Sequence, residues 1–121
     1  MSKEDLQIGQ GDVTCFLDGE QVTLKPSLHA VKMLCTGDGG IGTMVQRVSM
    51  LDFNAILMVV VAGLGLSGNG TKDLPEKLYK TGLFKMSAVC IQYLNILANG
   101  GKPPKDEEEK FAQEDPQTAN Q

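Results

Sequence analysis

Between Asp52 and Gly65 the chain reads Phe-Asn-Ala-Ile-Leu-Met-Val-Val-Val-Ala-Gly-Leu, and Asn54 is its only polar side chain. Phe53, Ile56, Leu57, Val60 and Leu64 recur at helical spacing, while Met58, Val59 and Val61 fill the other side, so this helix has almost no polar face. A helix of that kind is either the centre of a domain or the seat of a partner. Its most apolar run, Ala55 to Ala62, falls well short of the ~20 residues that cross a bilayer. A buried helix in a soluble protein is expected, with no membrane partner.

The segment before it has a different period. Val13, Cys15 and Leu17 alternate with Thr14 and Phe16, and Val22 and Leu24 resume the apolar side after Asp18-Gly19-Glu20. Period-two alternation around Asp-Gly predicts a β-hairpin, because glycine accepts the positive φ of a tight turn. Pro26 has no N–H to continue a ladder. Ser27 is placed to cap a helix carrying Leu28, Val31, Leu34 and Cys35 on one stripe and ending at Gly37. Gly37 to Gly42 reads as a loop. Thr43 and Gln46 have capping-box spacing for a second short helix with Met44, Val45 and Val48 inward, and Asp52 is placed to cap the apolar helix.

Glycines at 63, 65, 68 and 70 then open a second flexible segment over Leu66 to Thr71. Asp73, Pro75 and Glu76 start a fourth helix that Gly82 closes. The fifth, near Leu83 to Ala98, puts Met86, Cys90, Tyr93, Leu94 and Leu97 on one face with Val89 and Ile96 beside them. Lys85, Gln92, Asn95 and Asn99 form its polar stripe. The expected class is mainly α (α+β), an N-terminal β-hairpin followed by about five helices.

A chain of 121 residues suits one domain. Residues 1–10 are expected to be a loose N-terminus in which Leu6 and Ile8 are the side chains able to pack, 11–99 the single folded domain, and 100–121 a disordered acidic tail. Residues 100–121 hold six acids and three lysines of a chain whose formal charge is −4. The folded part is therefore nearly neutral. Without a basic stripe, and with no Trp, two Tyr and four Phe, nucleic acid is not an expected partner. The opening Met-Ser-Lys-Glu-Asp-Leu has no basic segment leading into an apolar one, so no secretory signal is expected.

No set of residues stands out as catalytic, cofactor-binding or metal-ligating, and the expectation is a protein that is not an enzyme. Cys15, Cys35 and Cys90 are an odd number at wide spacing, which suits small buried hydrophobes in a reducing compartment. His29, the single histidine, has no Ser, Cys or Asp at a diagnostic spacing. Asp52, Asp73 and Glu76 fit helix N-termini. The run Val31 to Thr43 resembles the strand and phosphate loop of a small GTPase, but Thr43 stands where the phosphate-binding lysine belongs and Met44 where the magnesium-binding hydroxyl belongs. A nucleotide-binding switch is thereby the least favoured function. The Glu107-Glu108-Glu109 run reads as a solvated tail. Two long helices apolar nearly all round, with limited cover from a hairpin and short helices, suggest that Phe53, Ile56, Val59 and Val60 meet another protein chain.

The hairpin Val13 to Leu24, the Leu24-Lys25-Pro26-Ser27 passage into a helix, the glycine break at Gly37 to Gly42, the apolar helix Phe53 to Leu64 and the last helix before a polar tail together resemble the small tail-assembly chaperones of long-tailed (siphovirus-type) bacteriophages and gene transfer agents. The resemblance spans residues 11–99 and is one of arrangement. It implies a cytoplasmic protein of the host bacterium that self-associates, binds and solubilises the tape measure protein without a cofactor, helps recruit tail tube protein, and is absent from the mature virion. It also implies a longer frameshifted product, for which Gly101-Lys102 is a dipeptide that a slippery GGG-AAA would encode. The rival readings are a structural virion component, either a tail tube or a head–tail connector subunit, and an adaptor that inhibits a host enzyme.

Overall fold

The computed structural model describes residues 11–36, 39–66 and 68–103. The expectations for residues 1–10, for the tail from 104 onward and for Gly37 as a helix stop lie outside them. Strand β1 (Val13–Leu17) pairs antiparallel with β2 (Glu20–Leu24), Val13 opposite Leu24 and Leu17 opposite Glu20. Asp18 and Gly19 both take positive φ, +53° and +84°. This is the two-residue turn whose twist matches that of the strands. As the alternation required, Val13, Cys15, Leu17 and Leu24 are buried while Thr14 and Phe16 face out.

The ladder stops at Pro26, and the Lys25 peptide finds its partners elsewhere. Its N–H donates to the Gly63 carbonyl at 2.9 Å, and its carbonyl accepts from the Tyr93 hydroxyl at 2.7 Å. Ser27 then caps α1 (Leu28–Leu34), its Oγ accepting from the Ala30 N–H at 3.0 Å. The inward stripe of α1 differs from the expected one. Ala30 and Leu34 are buried, Val31 and Cys35 half-buried, and Leu28 is 69% exposed. Residues two apart on a helix point in nearly opposite directions. Once the small Ala30 seats the helix on the core, Leu28 must turn outward.

Helix α2 (Ile41–Ser49) starts two residues before the expected Thr43–Gln46 capping box, and Gly40 is its N-cap without a side-chain bond. Ile41 packs on the core and draws the first turn back, which makes Ile41 and Gly42 helical rather than part of the glycine loop. Thr43 and Gln46 are exposed. Helix α3 (Phe53–Leu64) has the expected bounds. One Asp52 carboxylate oxygen accepts from the Ala55 N–H at 3.2 Å and the other from Arg47 Nε at 3.0 Å. A 3-10 turn (Gly68–Thr71) occupies part of the second glycine segment, and α4 (Leu74–Thr81) follows it. Gly82, at φ +109°, joins α4 to α5 (Leu83–Ala98).

Helix α3 is the hub: β2, α1, α2, α4 and α5 all pack on it. Helix α5 spans the far side of the core, touching α2, α4 and β1 as well, and buries Met86, Cys90, Tyr93, Leu94, Ile96 and Leu97. The hairpin tip is tied to α4, since the Asp18 N–H donates to Thr81 Oγ1 at 2.6 Å and Lys77 Nζ lies 3.1 Å from Glu20. Three helices end in the same way. A left-handed residue follows the last turn, and the next N–H reaches back five residues: Leu51 then Asp52 to Arg47 O, Gly65 then Leu66 to Val61 O, Gly100 then Gly101 to Ile96 O.

Two expected outcomes follow from these contacts. A Cβ on Gly63 would lie 2.8 Å from the Cβ of the fully buried Leu24, so Gly63→Ala gains about 1 kcal/mol of helix propensity but incurs an overpacking cost of roughly 1–3 kcal/mol. A lower urea midpoint with an unchanged m-value is expected. Arg47, then the Ala55 N–H, hold the Asp52 carboxyl below its ordinary value of 3.8. The stabilisation is therefore complete above about pH 4 and is lost as pH falls through the lower folded value. Asp52→Asn should unfold at lower urea than wild type at neutral pH, and the gap should close on acidification.

Candidate functional site

The four side chains that sequence reasoning chose for partner contact all lie on α3, and the fold withdraws three of them from the surface. Ile56, Val59 and Val60 are at most 1% exposed, so the expectation that these three meet a partner is corrected, whereas Phe53 stays half-buried at the start of the helix. The reason lies in the packing around α3, whose neighbours close over it from several sides. An all-apolar helix carries no periodic signal of which side faces out, so the sequence alone could not place them.

Among the described residues the exposed large apolar side chains are instead Phe16, Leu28, Met50, Leu51, Tyr79 and Phe84. Phe84, 82% exposed, stands one, two and three turns before Ala88, Gln92 and Asn95 on the polar stripe of α5. Tyr79, 74% exposed, lies three residues from the exposed Glu76, opposite the buried Leu74 and Leu78 of α4. Both were legible in the sequence, because each is an aromatic residue on an otherwise polar helix face. Phe16 projects from the outer face of β1 beside Thr14, whose hydroxyl meets that of Thr23 at 3.4 Å. Strand β1, α4 and α5 pack on one another, so these three aromatics belong to adjoining elements.

A groove of about 490 Å³ lies between the hairpin exit, the first turns of α1 and the end of α5. Pro26, Leu28, Val31 and Leu97 supply its apolar lining, and Asp12 and Lys25 its charges. It forms because the two ends of the domain meet there. Gly11 is buried, and a Cβ on it would collide with the Gly101 carbonyl and touch the Pro26 ring. A smaller cleft of about 210 Å³ lies beside α2, lined by Thr43, Met44, Arg47 and Met58 among others. Its guanidinium is bonded to Asp52, and Met44 is buried.

The remaining candidates take structural parts. His29 is exposed on α1, Asp73 flanks α4 without a side-chain cap bond, and Glu76 pairs with Lys80 at 3.2 Å. Burial, then the neighbouring Cys15, push the Cys90 thiol up to about 12, and burial raises Cys15 too, so both remain protonated and unreactive at neutral pH. Among the described residues no group of three or more His, Cys, Asp or Glu side chains is placed to hold a metal ion, and no helix is long and apolar enough to cross a membrane. Comparison with protein-family models, with curated proteins and with solved structures returns no match.

The two sets of apolar residues separate experimentally. Val60→Asp buries a charge in the core and should abolish the folded state, seen as loss of the cooperative thermal transition in circular dichroism. Phe84→Ser should shift unfolding by no more than about 0.5 kcal/mol, the range of surface substitutions.

Proposed function

We propose that this protein is a non-catalytic tail-assembly chaperone of a long-tailed bacteriophage or gene transfer agent, which covers apolar helix surface on the tape measure protein and helps recruit tail tube subunits. The reading is supported by the order of elements, since the hairpin, the Pro26–Ser27 passage, the apolar helix and the long last helix stand in the sequence that the resemblance requires. The observation that carries it is that three aromatics are left open on adjoining elements, Phe16 on β1, Tyr79 on α4 and Phe84 on α5. They take over the contact role first assigned to α3.

The physics of the task suits such a surface. A long amphipathic helix exposes a continuous apolar stripe that aggregates, and several copies of a small domain with a few aromatic anchors mask it in the host cytoplasm. Self-association of the copies along the stripe belongs to the same reading. The anchors have to be few, because affinity per copy must stay modest enough for tube subunits to displace the chaperone during polymerisation.

Co-expression of the full chain with a tape measure protein tests this. Wild type should be recovered with it from the soluble fraction, and the Tyr79→Ser/Phe84→Ser double variant should be recovered at least about tenfold less, as expected for the loss of two interfacial anchors, with an unchanged circular dichroism spectrum. Equal capture of both forms, or capture of neither, overturns the assignment. Mass spectrometry of purified particles gives a second check, since a chaperone is absent from them and a tube or connector subunit is present in many copies.

A further inference from the structure

The two-residue turn makes Leu17 and Glu20 a hydrogen-bonded pair, and the pairing alternates from there along the hairpin. Phe16 with Gln21, and Thr14 with Thr23, are therefore the pairs whose main-chain N–H and C=O groups point away from each other. The approach of the Thr14 and Thr23 hydroxyls to 3.4 Å fits such a pair, in which side chains stand closer. The two outer edges differ in cover. Lys25 continues the row of Gln21 and Thr23, and its N–H donates to the Gly63 carbonyl at 2.9 Å, so α3 stands against the edge of β2. On the edge of β1, the main-chain groups of Thr14 and Phe16 have no partner among the described residues, and both residues are exposed.

This edge is also unguarded. Lysines, prolines and bulges protect an open strand from added chains, and Val13-Thr14-Cys15-Phe16-Leu17 has none of them, its register with β2 being continuous. Its charges lie at the ends. Asp12 precedes the strand and Asp18 follows it, about 20 Å apart over six extended steps, and among the described residues neither carboxylate is in a salt bridge.

We propose that the edge of β1 takes a third strand from a protein partner: an extended segment with an apolar centre and a basic residue at each end, added antiparallel. Its main chain pairs with Thr14 and Phe16, giving each residue a donor and an acceptor. Its inward side chains are apolar, because they fall beside Val13, Cys15 and Leu17, which are buried. Those facing out lie beside Thr14 and the Phe16 ring, and the basic ends meet Asp12 and Asp18. The same charges disfavour a second copy. Two β1 strands paired about Cys15 would set Asp12 of each against Asp18 of the other, and like charges directly opposite destabilise a sheet. An extended ligand on the hairpin edge stands apart from the helical partner assigned above.

Titration of the isotope-labelled full-length protein with the peptide Lys-Val-Thr-Val-Thr-Val-Lys, followed by amide nuclear magnetic resonance, tests this. Expected are saturable shifts and slowed hydrogen exchange at the Thr14 and Phe16 amides, with those of Gln21 and Thr23 staying in place. Thr14→Pro removes an edge N–H and none of the hairpin's own bonds. It should weaken binding at least about tenfold with an unchanged circular dichroism spectrum. Asp12→Asn/Asp18→Asn should weaken it severalfold, and the difference from wild type should shrink at high salt. No saturation by about 1 mM peptide, or shifts centred on Gln21 and Thr23, overturns the proposal. So does equal binding of a peptide with glutamate in place of both lysines, or the same amide shifts arising from protein concentration alone, which would mark a second copy.

Discussion

The Lys25 peptide joins the two halves of this molecule. Pro26 ends the hairpin ladder, so this peptide has to find partners outside it. The N–H is taken by the last turn of α3 at Gly63, and the carbonyl by Tyr93 in the middle of α5. A hydrogen bond of this kind contributes about 0.5–1.5 kcal/mol net. The bonds are reachable because residue 63 has no side chain, which lets β2 lie on α3 with Leu24 in the space a Cβ would fill. Hairpin, hub helix and closing helix are in this way held to one point.

The position of α3 follows from that junction. With β2 fixed across its C-terminal end, α1 is delivered by Ser27 onto the same helix, and α2 is returned to it through the turn at Leu51 and the Arg47–Asp52 pair. A helix with one polar side chain in twelve residues thus finds its cover within the chain. The exposed apolar side chains Phe16, Tyr79, Phe84 and Leu28 stand on the outward faces of β1, α4, α5 and α1. The large apolar side chains left exposed stand singly on separate elements, which differs in kind from a continuous apolar helix face.

The helix ends show how backbone constraints are met by different residues. Gly65 and Gly100 take left-handed positions that suit glycine, whereas Leu51 occupies the equivalent place after α2 at φ +61°. A branched side chain there costs about 1–2 kcal/mol. In return the turn brings Asp52 within reach of both the Arg47 side chain and the first turn of α3. The ion pair and the helix cap are one carboxylate, so the junction between α2 and α3 depends on a single side chain.

Local chemistry was sufficient to determine the elements whose signals are local: the hairpin with its Asp18-Gly19 turn, the Ser27 and Asp52 caps, the bounds of α3, and the inward face of α5, where polar Gln92 and Asn95 mark the opposite side. Where the pattern carried no contrast, tertiary packing decided. The all-apolar α3 offered no choice of face until its neighbours closed over Ile56, Val59 and Val60. Ile41 moved the start of α2 ahead of a plausible capping box, because burying it outweighs a solvent-exposed cap. Ala30 turned α1 so that Leu28 faces out. The groove is likewise a product of assembly, since it exists only where Gly11 and Gly101, ninety residues apart in sequence, bring the two ends of the domain into contact. Periodicity reports which side of an element is polar, whereas the depth to which an apolar side is covered depends on neighbours distant in the chain.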